Sequence, residues 1–222
     1  MSVKENIEKL RERIDRVCKK CGRNPEEIII VGATKTVPPE KILEAIDCGI
    51  KIIGENRVQE ALQKYEIIGD KVEWHMIGHL QRNKVKKALQ IFKCIQSLDS
   101  LRLAEEIQKR ATQPIDVLVE VNTSFEPTKF GLHPDEVIDF VKKVSEFDRI
   151  RIKGLMTIGP LGREPRDSFR TLRKLFDKID SLNIIGVEMK YVSMVMTDDF
   201  EIAIEEGSNM IRIGRAIFGE RR

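Results

Sequence analysis

Lys35 closes an almost unbroken apolar run, Ile28-Ile29-Ile30-Val31-Gly32-Ala33-Thr34, and a lysine at the end of a buried strand has one particular chemistry open to it. Burial penalises the charged ammonium, and the neutral amine is the species that attacks a carbonyl to make a Schiff base. The position therefore points to a carbonyl-bearing cofactor or substrate. The plainer alternative is a side chain that only snorkels, its stem against the core and its head in water. A second chemistry lies near the C-terminus. Ser193-Met194-Val195-Met196-Thr197 sets hydroxyls beside backbone N–H groups. Arg212-Ile213-Gly214-Arg215-Ala216-Ile217-Phe218-Gly219 places a glycine where backbone can approach a ligand, ahead of a turn that can open a helix whose N–H groups attract an anion. Gly214 alone could equally be only a turn.

Other reactive residues carry weaker patterns. His75 and His79 are four apart but flank a strand end and lack the H-E-x-x-H signature, so pocket lining or a satisfied buried histidine is the expectation rather than a metal site. Cys18-x-x-Cys21 falls at a helix end with no second pair to complete a zinc site. Lys153 on a later strand is a rival Schiff-base lysine of the aldolase type, but it alternates with Ile150 and Ile152 alongside Arg149 and Arg151, a charged face that ranks it below Lys35. The basic run Gln81-Arg82-Asn83-Lys84-Val85-Lys86-Lys87 could hold an acidic partner, although a solvated helix face is the simpler account.

The elements that must position these residues are legible in the hydrophobic period. A first amphipathic helix starts near Ser2, where Glu5 completes a capping box, buries Ile7, Leu10, Ile14 and Val17, and ends near Gly22. Strand-like runs follow at Ile28–Ala33, Lys51–Ile53, Trp74–Ile77, Lys93–Gln96, Asp116–Val121, Ile150–Met156, Glu188–Val192 and Met210–Ile213. Helical patterns occupy Pro39–Cys48, Arg57–Ile67, Asn83–Phe92, Leu101–Thr112, Pro134–Phe147, Ser168–Leu182 and Phe200–Glu206. Eight strand-helix units without a Gly-rich first turn fit a (β/α)8 TIM barrel with an additional N-terminal helix better than a doubly wound sheet. No linker interrupts the chain, so residues 1–222 are expected to form one domain. In such a barrel strand one lies beside strand eight, and phosphates bind at the loops after strands seven and eight. An amine and a phosphate cup on neighbouring strands suit pyridoxal 5′-phosphate (PLP), which carries an aldehyde and a phosphate on opposite sides of a flat ring.

Composition narrows the partners. Lys plus Arg total 39 against 36 Asp plus Glu, interspersed, so a nucleic-acid partner is not expected. No apolar stretch approaches the roughly 20 residues that span a bilayer, and the N-terminus lacks a signal-peptide core, so neither a membrane partner nor export is expected and a cytoplasmic location is. Four scattered cysteines read as reduced thiols. The 34% charged content hints at a heat-adapted source with surface ion-pair networks.

Five separated segments, Val31-Gly32-Ala33-Thr34-Lys35-Thr36, Gly54-Glu55-Asn56-Arg57-Val58-Gln59-Glu60, His75-Met76-Ile77-Gly78-His79-Leu80-Gln81-Arg82-Asn83-Lys84, Gly154-Leu155-Met156-Thr157 and Arg212-Ile213-Gly214, resemble in type and order the pyridoxal phosphate homeostasis proteins, the small barrels related to the N-terminal domain of alanine racemase. The resemblance spans essentially the whole chain. It implies a PLP-binding domain in which Lys35 carries the cofactor as an internal aldimine. It further implies that Ser193, Gly214 and the following Arg215 hold the phosphate, that Arg212 faces the pyridine nitrogen, and that Asn56 lines the pocket. The implied function is intracellular PLP homeostasis, without robust turnover, by a monomer that delivers the cofactor to PLP-dependent apoenzymes. The alternatives are a minimal PLP-dependent amino-acid racemase or a Schiff-base aldolase. Racemisation needs a second acid or base opposite the lysine; alanine racemase takes a tyrosine from a further domain, and here only Tyr65 and Tyr191 occur. Three positions depart from the family pattern: Val195 stands where a glycine and Thr197 where a serine is usual, and Arg215 replaces a threonine.

Overall fold

The computed structural model describes residues 2–160, 162–196 and 199–219. Its first helix, α1 (Val3–Cys21), begins as the sequence predicts: the Ser2 hydroxyl accepts the Glu5 N–H, the Glu5 carboxylate accepts the Ser2 N–H, and Gly22 ends the helix at φ 70°. The strands β1 (Ile29–Ala33), β2 (Ile52–Glu55), β3 (Glu73–Met76), β4 (Cys94–Leu98), β5 (Ile115–Glu120), β6 (Ile150–Thr157), β7 (Val187–Met196) and β8 (Met210–Ile213) pair in sequence order and parallel throughout. β8 returns to β1 in the register Val31 to Arg212 and Gly32 to Ile213, closing the barrel. The helices α2 (Pro39–Asp47), α3 (Val58–Ile68), α4 (Val85–Ala88), α5 (Leu101–Arg110), α6 (Val137–Val144), α7 (Arg166–Ser181) and α8 (Phe200–Glu205) return the chain between strands, and α9 (Arg215–Phe218) follows β8. The expected TIM barrel with an added N-terminal helix is therefore the fold.

Alternation along the strands splits the core in two. Val31, Ile77, Cys94, Leu118, Met156 and Met210 fill the barrel itself. Ile53, Ile95, Val117, Val119, Leu155 and Ile211 join a larger cluster with helix residues such as Ile42, Ala61, Leu103, Val141, Phe169 and Ile204. The buried face of α1, including Ile7, Leu10, Ile14 and Val17, enters that cluster, and Asn6 Nδ2 donates to the Ile217 carbonyl of α9 at 3.0 Å. Arg166 and Arg170 of α7 meet Glu205 and Glu206, and Lys20 of α1 also meets Glu205. These pairs form a surface network across three helices.

Two elements differ from expectation. The helix expected over Asn83–Phe92 is reduced to a 3₁₀ turn, Arg82–Lys84, and the single turn α4. Its first residues are basic, which opposes the helix dipole, and Lys84 and Lys87 stand three apart with like charge. The strand expected to end at Val192 runs on to Met196, so Ser193 to Met196 belong to β7 rather than to a loop. Val195 falls where the pairing of β7 with β8 slips, between Met194 opposite Ile211 and Met196 opposite Arg212. The residue standing in place of the usual glycine is thus taken up as an irregularity of the strand. Thr197 lies outside the described residues.

β6 carries one position that only glycine can fill. Gly154 has φ +147°, and a Cβ there would overlap the Tyr191 carbonyl and lie 2.8 Å from the Tyr191 carbonyl carbon and 2.9 Å from its nitrogen. The register slips at this point, between Ile152 and Gly154.

Candidate active site

Three candidate residues sit where adjacent strands end. Lys35 occupies the turn after β1 and is half-buried, and Thr36 beside it has φ 62°. Asn56, half-buried in the bend after β2, makes no side-chain hydrogen bond among the described residues. Its position is fixed by backbone packing: a Cβ on Gly78 would stand 2.6 Å from the Asn56 carbonyl oxygen and 2.7 Å from its Cα. Gly214 follows β8 as the residue before α9, and Arg215, exposed, opens that helix. Because β1 lies between β2 and β8, Lys35 has Asn56 on one flank and Gly214 on the other.

Arg212 and Ser193 form the floor beneath that mouth. Arg212 is 1% exposed, yet both ends of its guanidinium are held: Nη1 donates to Ser193 Oγ at 2.6 Å and Nη2 to the Thr157 carbonyl at 2.8 Å. Burial lowers its pKa to about 10, and the Glu120 carboxylate opposes the shift. Ser193 in turn donates to Gln96 Oε1 at 2.7 Å, and Gln96 Nε2 reaches His75 Nδ1, whose Nε2 meets Glu73. A chain of polar side chains thus crosses the barrel from β3 through β4 and β7 to β8. The sequence placed Ser193 in a loop with its hydroxyl directed to a phosphate. The structure differs in placement: Ser193 is a fully buried strand residue that donates to Gln96 and accepts from Arg212, so its hydroxyl orients the arginine.

Sequence reasoning missed Glu120, although its signal resembles that of Lys35: a charged residue ending an apolar strand run. It is 5% exposed and lines a cavity of about 160 Å³ with Asn122, Lys129, Phe130 and Ile158. Burial first, and then the Asp99 carboxylate, push its pKa up to about 7, against the opposing pull of Arg212. A raised folded-state pKa favours the fold while the carboxyl is neutral. That contribution is fully present below the ordinary value of 4.5 and is lost as pH rises through about 7. The difference amounts to about 3 kcal/mol. Glu120→Gln is expected to flatten this slope and to be the more stable protein at pH 8, read from urea unfolding midpoints between pH 5 and 8. Parallel pH profiles of the two proteins would refute it.

The remaining candidates separate cleanly. His75 is the satisfied buried histidine expected of it. His79 pairs with Asp99 at 3.0 Å and stacks on Phe130 with 3.8 Å between ring centroids. Lys153 is paired with Glu188 near the start of β7, away from the mouth. Tyr65 donates to Asp70 at 2.9 Å, packs against Trp74 at the start of β3, and has its pKa raised mainly by the Asp70 bond. Tyr191 belongs to the barrel filling, two residues below Ser193. All four cysteines are free thiols. Among the described residues no His, Cys, Asp and Glu cluster could hold a metal ion, and no helix is long and apolar enough to cross a membrane.

Comparison with known proteins places this arrangement. The family described as alanine racemase, N-terminal domain, matches residues 5–222. The chain is 44% identical to the pyridoxal phosphate homeostasis protein of Aquifex aeolicus, covering 100% of both. It superposes on PipY of Synechococcus elongatus with PLP bound at a TM-score of 0.86 and 29% identity, covering 98% of this chain and 100% of that one. Alanine racemase of Clostridium difficile shares the fold at a TM-score of 0.77 and 15% identity, covering 99% of this chain and 57% of the racemase. With a family match along nearly its whole length and a full-length relative of that identity, the chain belongs to the pyridoxal phosphate homeostasis protein family, within the alanine racemase N-terminal domain group.

Proposed function

We propose that this protein binds PLP at the C-terminal mouth of its barrel, with Lys35 as the covalent anchor, and acts as a cytoplasmic, monomeric reservoir that passes the cofactor to PLP-dependent apoenzymes without turning over a substrate of its own. The observation that carries the reading is the convergence of a rim lysine, a buried arginine braced from two sides and a glycine opening a helix on the adjacent strands β1 and β8. The names of the relatives and the PLP held by PipY support it. The donor set suits the cofactor. Lys35 supplies an amine, Asn56 an amide with unused hydrogen bonds, and Gly214 with Arg215 a backbone able to meet a phosphate. Arg212 offers more N–H groups than its two bonds consume. PLP supplies the aldehyde, whose condensation with the Lys35 amine forms one carbon–nitrogen double bond and releases one water.

In this reading each residue holds or orients. Arg212 faces the ring nitrogen and, being cationic, keeps that nitrogen unprotonated, which weakens the ring as an electron sink. Ser193 acts through Arg212, and the phosphate rests on the Gly214–Arg215 backbone. Tyr65 is engaged by Asp70, and Tyr191 lies below the Ser193 level. Neither is placed to return a proton opposite Lys35, which favours a carrier over a racemase.

Mixing the purified protein with PLP, reducing with borohydride and mapping peptides by mass tests the reading. The expected result is a yellow band that reduction bleaches, with the label on Lys35. A label on Lys153, or no reducible band, overturns it.

A further inference from the structure

The turn that carries Lys35 is held from both sides by charged groups of β2 and α3. Lys64 of α3, 7% exposed, donates to the Thr34 carbonyl at 2.6 Å, to Glu55 at 2.7 Å and to Glu60 at 2.7 Å. Glu60 Oε1 also accepts the Thr36 N–H at 2.6 Å. The Thr34 hydroxyl donates to the same Glu55 oxygen at 2.6 Å. The residues before and after Lys35 are therefore pinned, by carbonyl on one side and by N–H on the other, to one ammonium–carboxylate pair. Thr36 is β-branched and sits at φ 62°, a conformation such residues rarely adopt and that persists only when its surroundings impose it. Burial alone would raise the Glu60 pKa, but the Lys64 ammonium and the Thr36 N–H hold that carboxyl below its usual range. It is thus a charged acceptor for the strained N–H.

We propose that Glu60 and Lys64 are positioning residues for Lys35: they hold Thr36 left-handed, and so aim the Lys35 amine into the mouth for covalent capture of the cofactor. The inference rests on the function proposed above. Its physical basis is the cost of misplacement, since a reacting amine that must first find its direction loses the advantage of pre-paid orientation. Glu60 and Lys64 make no bond to the Lys35 side chain; they act through the backbone on either side of it. Breaking the clamp should therefore slow capture while leaving non-covalent recognition intact.

Glu60→Gln removes the charge with little change of shape, and Glu60 is half-buried, so the variant should fold; a thermal scan checks this. Two probes separate the roles. With PLP, the rate at which the borohydride-reducible band appears should fall at least tenfold. With pyridoxine 5′-phosphate, which carries an alcohol in place of the aldehyde, the dissociation constant should stay within about twofold of wild type. Adding Thr36→Gly, which takes a positive φ without strain, should recover most of the lost rate in the Glu60→Gln background. Lys64→Met, with its Glu55 partner changed to Leu to avoid an orphaned buried carboxylate, should slow capture as Glu60→Gln does. Unchanged capture by Glu60→Gln overturns the clamp, as does an equal loss of pyridoxine 5′-phosphate binding. Failure of the wild-type protein to form any adduct at Lys35 would instead overturn the functional reading on which the clamp depends.

Discussion

Lys35→Ala is expected to lose the reducible PLP adduct completely while still binding the cofactor weakly. The loss is total because the covalent bond needs an amine within reach, and Lys153 is tied to Glu188 away from the mouth. The residual binding persists because Arg212 is held by Ser193 and Thr157, and Gly214 by the β8–α9 junction, none of which involves the turn after β1. The fold should also be little changed: Lys35 is half-buried, and it is the Thr34 carbonyl and Thr36 N–H that the clamp binds. Absorbance before and after borohydride reports the adduct, and equilibrium dialysis reports the residue. A full-strength reducible band in Lys35→Ala would remove this lysine from the mechanism.

Gly154→Ala should cost about 3 kcal/mol of stability or more, by combining a strained backbone with an overlap that no rotamer can relieve. The obstacle is the Tyr191 main chain rather than a flexible side-chain end, so relief requires β6 and β7 to separate where they pair. Three residues on, the Thr157 carbonyl holds the Arg212 guanidinium, and a shifted β6 would loosen that brace as well. The denaturation midpoint measures the first effect and PLP affinity the second. A loss below about 1 kcal/mol would mean that the close approach of β6 to β7 is not rigid.

The barrel was legible because each strand is a short apolar run and each helix a period of apolar residues, signals that depend on burial alone. The Lys35 position was legible for the same reason, and so was the adjacency of strands one and eight. What escaped is polar and non-local. Ser193 read as a loop residue because a buried hydroxyl in a strand looks, in one dimension, like a hydroxyl in a turn; its partners Gln96 and Arg212 lie 97 and 19 residues away. The Glu60–Lys64 pair went unremarked, because in one dimension it is only two opposite charges four apart on a helix; its contacts to Thr34 and Thr36 appear only once β1 and β2 stand side by side. Glu120 went unremarked although it ends an apolar run, because a carboxyl there suggests no covalent chemistry.

The polar chain that crosses the barrel interior, from Glu73 through His75, Gln96 and Ser193 to Arg212, has a consequence for how such a protein can change. Its members sit on four different staves, and each satisfies the next, so no one of them can be exchanged for an apolar residue without stranding a buried neighbour. The rim loops share none of these bonds. Inheritance should therefore treat the zones differently, with the inner chain altering only in concerted steps and the rim positions outside the Lys35 clamp free to drift residue by residue, while the aim of the central arginine stays as it is.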